Sequence, residues 1–414
     1  MKRQLTARFI SLITTLFVST ILCIIATAAE IPSIYVDQEY GRDTNTGSIK
    51  SPFSSINQAI DYYVSNKYKS GKIILNSDYT VEKETSYYET DHTDTQIEIS
   101  GTRTSKLIFE QNTTYYLNGQ TTFKDINIYT RGNACFVAGF NSIIFDTGVN
   151  VSSENESHDI TVIGGFKEYK EGFKTNLDSK ITINSGSFNQ LIGFTMHKGD
   201  ASVAFTGTSY INLNNCHVEK IICASADSHH SGNTEIYVYN STVNELYTGG
   251  NATRTLNGNA TLHIKESVVD NLYVNNVTGD VNVKLESGKI DLFELRYANQ
   301  NIENNALSSN ISVEYNRDFF DKAIKTFYES AKKYNKHITL HNFSDDSFDS
   351  ESKTEVDIEV ASQNTTQFHT EASYDDIIDE FKGFKFIFIT IILVTATIPL
   401  LVIIRFHNKT KKET

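Results

Sequence analysis

From Ile181 onward the chain returns to one degenerate phrase: an apolar-x-apolar step, a small residue, then a second apolar step closed by Leu or Ile and a following aromatic residue or Ile. It runs Ile181-Thr-Ile-Asn-Ser-Gly-Ser-Phe…Leu191-Ile192, Ile211-Asn-Leu-Asn-Asn-Cys-His-Val…Ile221-Ile222, Ile236-Tyr-Val-Tyr-Asn-Ser-Thr-Val…Leu246-Tyr247 and Leu262-His-Ile-Lys-Glu-Ser-Val-Val…Leu272-Tyr273. A last copy, read as one residue shorter, is Val283-Lys-Leu-Glu-Ser-Gly-Lys-Ile…Leu292-Phe293. Alternation with period two marks strands. A unit of this size cannot bury its own apolar face and becomes stable only by stacking on copies of itself. The pattern predicts an all-β solenoid, each coil made of three short strands and three turns, and a right-handed parallel β-helix is the arrangement it favours.

The alternation also assigns faces. Ile181/Ile183, Ile211/Leu213, Ile236/Val238, Leu262/Ile264 and Val283/Leu285 point inward as aliphatic ladders, while Thr182, Asn212, Tyr237, His263 and Lys284 form an outward column. Ile97-Glu-Ile, Leu107-Ile-Phe, Ile126-Asn-Ile, Ile143-Ile-Phe and Ile160-Thr-Val read as earlier coils of the same stack. Gly186, Cys216, Ser241, Ser267 and Gly288 share one place in the phrase, where a tight corner demands small residues. Stretches 226–233 and 248–258 read as loops emerging at turns.

A stack has two open ends that expose strand edges. Ile56, Ala59, Ile60 and Tyr63, preceded by Ser54 and Ser55, predict an amphipathic helix over one end. Phe320, Ile324, Phe327, Ala331 and Tyr334 share a face of a second helix over the other.

The termini predict an address. Residues 1–28 combine Lys2, Arg3 and Arg8 with a long apolar run and Ala26-Thr27-Ala28, the pattern of a cleaved signal peptide; an uncleaved anchor is the alternative. Residues 386–404 are apolar, and as a helix of about 28 Å they span a hydrocarbon core. Asp375, Asp376, Asp379 and Glu380 precede this segment and Arg405, Lys409, Lys411 and Lys412 follow it, so the tail at 405–414 is expected in the cytoplasm. This makes a single-pass type I membrane protein: a translocated β-helix over 30–340, an acidic Ser/Thr-rich stalk over 341–384, the span and the tail. Lys411 and Lys412 have the spacing of a dilysine retrieval signal recognised by coat proteins, which would place the protein in the endoplasmic reticulum; as plain stop-transfer lysines they leave it at the cell surface. Sequons at Asn112, Asn150, Asn155, Asn240, Asn251, Asn259, Asn276, Asn310, Asn342 and Asn364 are glycosylation candidates in the translocated part.

A formal charge of −13 with no basic cluster outside the termini argues against nucleic-acid binding. Of the four cysteines, Cys23 falls in the signal segment, and the odd remainder, Cys135, Cys216 and Cys223, excludes a fully paired disulfide scaffold. Packing accounts for Cys216, and His229-His230 lacks the further ligands a metal needs. No metal or cofactor site is predicted.

The segment Ile34-Tyr-Val-Asp…Gly41-Arg-Asp43…Thr46-Gly47-Ser…Ser51-Pro52-Phe53…Ile56…Ala59-Ile60 resembles the opening of pectin-lyase-like right-handed β-helix proteins. In that family a first strand, a Gly-Asp turn, a second Gly and a Pro-Phe lead into the helix that covers the end of the β-helix. The resemblance covers this block alone and implies the fold and an association with carbohydrates; it does not carry an activity. The paired carboxylates and Gly-His-Gly of the galacturonan hydrolases, and the clustered Asp of the calcium-dependent lyases, have no counterpart in the phrase.

What the outward columns offer is Tyr237, Tyr239, His263, Lys265, Lys284 and Glu286 on three successive coils. Tyrosines stack on sugar rings, and Lys265 with Lys284 would pair with an acidic glycan. The leading expectation is therefore a non-enzymatic module that binds glycan or a surface protein. The alternatives are a tethered polysaccharide lyase or hydrolase with a degenerate site at His263, Lys265, Lys284 and Glu286, and an exposed sheet face with no ligand.

Overall fold

Ile181, Ile211, Ile236, Leu262 and Val283 stand side by side on consecutive parallel strands, and so do Ile183, Leu213, Val238, Ile264 and Leu285. All of them are buried. The computed structural model describes residues 32–343 apart from 82–92, 118, 155–159, 169–173, 175, 197–204, 227–229, 252–254, 297–309 and 333–337. Among the described residues the chain is a parallel β-solenoid. A 12-stranded sheet runs from Ser33–Val36 to Ile338–Asn342, and an 8-stranded sheet from Thr113–Tyr116 to Gly288–Arg296. A 4-stranded sheet is made by Tyr79–Val81, Lys106–Phe109, Asn127–Thr130 and Asn150–Ser153.

The third sheet stops after Asn150–Ser153, which corrects the expectation of three strands in every coil. Fourteen residues separate inward Phe145 from inward Ile160, enough for a strand between them, whereas Ile183 and Leu191 are joined by a short corner at Gly186. In the later coils the third side is reduced to single-residue parallel bridges through Phe205, His230, Leu256 and Val277. The early phrases are also not one per coil. Ile97 and Leu107 lie in different sheets of a single turn, as do Ile143 and Ile160.

Core composition follows this change of cross-section. Where three sheets enclose the lumen, aromatic rings fill it: Phe109 and Phe136 have centroids 4.8 Å apart, Phe123 and Phe145 stack at 5.3 Å, and Phe145 meets Phe188 at 4.7 Å. Beyond Phe188 its column becomes Val218, Val243, Val269 and Ile290. Each such side chain, fully buried, stabilises the fold by about 1.5–3 kcal/mol before the entropy of ordering is set against it.

The last copy of the phrase has the same length as the others. Phe293, rather than Leu292, stands beside Leu272 and is fully buried, and Glu294 takes the place beside Tyr273. An aromatic ring fits the inward position there because it continues into the C-terminal cap.

Both caps form. Helix α1, Ile56–Ser65, buries Ile56, Ala59, Ile60 and Tyr63, and its N-cap Ser55 accepts from the Gln58 amide. Asp43 accepts from the amides and hydroxyls of Ser54 and Ser55, fixing the entry to the helix. Gly41 must lack a side chain, because a Cβ there would lie 2.2 Å from the Phe53 carbonyl oxygen. Helix α2, Arg317–Lys332, buries Phe320, Ala323, Ile324, Phe327 and Ala331, and the Phe327 ring stacks on Phe293 at 4.0 Å. Tyr334 lies outside the described residues.

The corner column of small residues is aligned as expected, but its cause differs. The left-handed residue is Asn215, Asn240 or Glu266, immediately before Cys216, Ser241 and Ser267; only Gly186 and Gly288 adopt positive φ themselves. Ser241 and Ser267 are selected by burial and by hydroxyls that donate to the carbonyls of Tyr239 and Lys265, both at 2.7 Å. The expected signal segment 1–28, Asn155, His229, Asn364, residues 344–384 of the expected stalk, the expected span 386–404 and the tail with Lys411 and Lys412 lie outside the described residues. No helix among the described residues is long and apolar enough to cross a membrane.

Candidate functional site

The solenoid register brings the six outward residues together. Tyr237 is paired with His263, Tyr239 with Lys265, and His263 with Lys284. Glu286 follows Leu285, the partner of Ile264, and so comes abreast of Lys265. The Glu286 amide donates to the Ile264 carbonyl at 2.9 Å, which fixes its backbone on the ladder.

Within this array Glu286 is the hub. Its Oε1 lies 2.8 Å from His263 Nε2 and 3.3 Å from Lys284 Nζ, and its Oε2 lies 3.2 Å from Lys265 Nζ. The carboxylate is half-buried, and although that burial works to raise its pKa, the hydrogen bonds and charges of Lys265, His263 and Lys284 hold it below the usual value. Lys265 is raised in turn by its hydrogen bond to Glu286. Tyr239 is 42% exposed, and a hydrogen bond to the Glu266 carboxylate raises the pKa of its hydroxyl. The Tyr237 ring meets His263 edge-on at 6.2 Å.

The two lysines expected to engage an acidic glycan are therefore tied to a carboxylate of the chain itself. The same holds for the wider face. Outward positions of the strands from Ser179–Ile183 to Ile311–Tyr315 carry Lys180, Lys265 and Lys284 against Glu235 and Glu314, and Glu286, just past the strand that ends at Leu285, adds a third carboxylate opposite the lysines.

A second aromatic column, which the sequence contains in its phrase-final tyrosines, lies on the outer side of the 8-stranded sheet. Tyr247 and Tyr273 are 4.8 Å apart, Lys220 Nζ sits 5.1 Å over Tyr247, and the Arg296 guanidinium covers Tyr273 at 3.9 Å. Burial and the Glu245 carboxylate push the Tyr247 hydroxyl up to about 12. Cations of the chain occupy ring faces in this column.

The cysteines among the described residues, Cys135, Cys216 and Cys223, are buried and form no disulfide. Burial pushes Cys135 up to about 12, Cys216 up to about 11 and Cys223 well above the ordinary thiol value, so none of them supplies a thiolate at neutral pH. His230 is a buried bridge residue rather than part of a surface loop. Among the described residues no three His, Cys, Asp or Glu side chains converge to hold a metal.

The glycosylation candidates separate by exposure. Asn112, Asn150, Asn240, Asn259 and Asn310 are exposed, Asn251 and Asn342 half-buried. Asn276 is 2% exposed and sits at a left-handed corner. Comparison with known proteins gives no match to a family model, a curated protein or a solved structure.

Proposed function

We propose that this chain is a non-enzymatic binding module of the right-handed pectin-lyase-like kind, anchored by a single membrane span, that holds a glycan on the outer face of its 12-stranded sheet. The observation that carries this reading is the juxtaposition of Tyr237 and Tyr239 with His263, Lys265, Lys284 and Glu286 on consecutive in-register strands. Stacked strands repeat every ~4.8 Å, giving a flat, periodic platform suited to a linear polymer, with ring faces for sugar CH groups and polar groups for hydroxyls. The N-terminal block supports the fold assignment: Gly41 lies against the Phe53 carbonyl, the Gly47 carbonyl accepts from the Tyr35 amide, Asp43 accepts from the Ser54 amide, and these turns lead into the helix at Ile56–Ser65. The net charge of −13 keeps nucleic acid out of consideration.

A glycan-array screen of the full-length protein, with bound sugars assayed in parallel for cleavage, tests this. Binding without turnover supports the module; binding with turnover replaces it by a hydrolase or lyase; retention of a surface protein alone replaces the ligand class. The His263–Glu286 hydrogen bond is the one feature that favours an enzyme, because a base oriented by a carboxylate has this geometry. The depressed Glu286 pKa opposes it, since an ionised carboxylate has no proton to give a leaving group. For location we propose the cell surface; the alternative is retrieval to the endoplasmic reticulum by Lys411 and Lys412, and on that alternative the two lysines are required for retention. Changing both to Ser should release the protein to the cell surface, and an unchanged distribution would reduce them to stop-transfer charges.

A further inference from the structure

We propose that Glu286 is the specificity-determining residue of this face: a built-in counter-ion that stands where an acidic group of a ligand would bind, so that the site takes uncharged polysaccharide and rejects polyanions. This rests on the glycan reading of the Tyr237–Tyr239 platform. Three donors from two strands converge on one carboxylate, at 2.8, 3.2 and 3.3 Å. Convergence of this kind is what a protein offers to the carboxylate of an acidic sugar, and here the position is filled from within.

The occupancy is built into the backbone. Glu286 is placed by its own ladder bond to Ile264, and the Ser287 hydroxyl behind it accepts from the Glu266 amide at 2.9 Å. The corner then turns at Gly288, φ +124°, where a Cβ would lie 2.0 Å from the Ser267 carbonyl oxygen. The Glu286 side chain is 23% exposed, whereas Lys265 and Lys284 are 45% and 49% exposed. The carboxylate is thus more shielded from solvent than the ammonium groups it neutralises. A polyanion arriving from solvent would have to break these pairs and bring a second negative charge beside Glu286, with Glu314 flanking Lys284 on the next strand. A neutral sugar meets no such repulsion, and the paired groups still present hydrogen-bond donors at their outer edges.

The test is affinity electrophoresis of the full-length protein and of its Glu286→Gln variant in gels containing polygalacturonate or neutral galactomannan. Gln keeps the shape and an acceptor oxygen while removing the charge, and circular dichroism checks the fold. The wild type is expected to ignore polygalacturonate. The variant is expected to gain retention by it of about tenfold or more at low salt, lost as ionic strength rises, because three cationic or polar donors are released toward solvent. Adding Lys265→Ala and Lys284→Ala to the variant should abolish the gain. Retention of the wild type by polygalacturonate, or no gain in a folded Glu286→Gln variant, overturns the proposal. Failure of the wild type to bind any neutral glycan counts against the platform itself, while the gain or its absence in the variant still decides the role of Glu286.

Discussion

The imidazole of His230 lies flat against the ring of Phe194, with centroids 4.1 Å apart and planes 21° from parallel. His230 is fully buried; its Nε2 is bonded to the Gly207 carbonyl at 2.6 Å, and its Nδ1 has no hydrogen-bond partner among the described residues. Burial lowers its pKa from 6.5 to about 4, the Gly207 bond opposing that shift. Between these two values the unfolded chain binds the proton and the folded chain does not. Stability is therefore intact above pH 6.5 and falls as the pH drops toward 4, by about 3 kcal/mol from this group alone. Denaturant unfolding at pH 7, 5.5 and 4.5, compared between the wild type and His230→Phe, isolates the effect. The variant should lose about 1 kcal/mol at pH 7 through the missing hydrogen bond and should show a weaker decline with acid.

Tyr239 projects into solvent and contributes little to the core. Tyr239→Ala should leave unfolding within about 0.5 kcal/mol of wild type yet weaken glycan retention roughly tenfold, and Tyr237→Ala should act in the same direction. Unchanged retention in both variants would remove these tyrosines from the site.

Gly288 cannot be replaced. Gly288→Ala places a methyl group against the Ser267 backbone at a φ foreign to L residues, so the last turns should detach from the stack at a cost of about 2 kcal/mol or more. Cys216→Ala is the contrast, with an expected loss nearer 1 kcal/mol. Hydrogen exchange along Gly288–Arg296 and α2 would locate the damage.

The C-terminal cap depends on Phe327. Phe327→Ala removes the ring stacked on Phe293 and should destabilise by about 3–5 kcal/mol, exposing the end of the lumen. Increased dye binding or self-association is expected with it; an unaffected melting transition would mean that the end is sealed by other contacts.

Glycopeptide mapping after expression through a eukaryotic secretory pathway should find sugar at exposed Asn112 and Asn150 and none at Asn276. The Asn276 side chain is packed within the wall of the solenoid, and a glycan there is incompatible with the folded coil.

Much of this architecture is dictated locally. Period-two alternation placed Ile181, Ile211, Ile236, Leu262 and Val283 in one inward ladder, since a strand has only two faces and water excludes one set of residues. The cap helices were equally legible, through the Ser55 N-cap and the apolar faces of Ile56–Tyr63 and Phe320–Ala331. The six residues of the candidate site were legible as neighbours for the same reason: aligning the phrase starts at Ile236, Leu262 and Val283 sets their register.

Only the tertiary structure decided the rest. The number of sheets per turn depends on the chain length between inward residues on different sides, so Ile97 and Leu107 fall in one coil and the third sheet ends at Asn150–Ser153. The place of Phe293 beside Leu272 was settled by the cap it meets, not by the Leu-aromatic pairing of the phrase. The sequence determined that Lys265, Lys284, His263 and Glu286 share a face; the side-chain geometry decided that the carboxylate takes all three partners. A linear pattern orders side chains along each strand, but which charges neutralise one another depends on distances across strands, and those exist only once the coils are stacked.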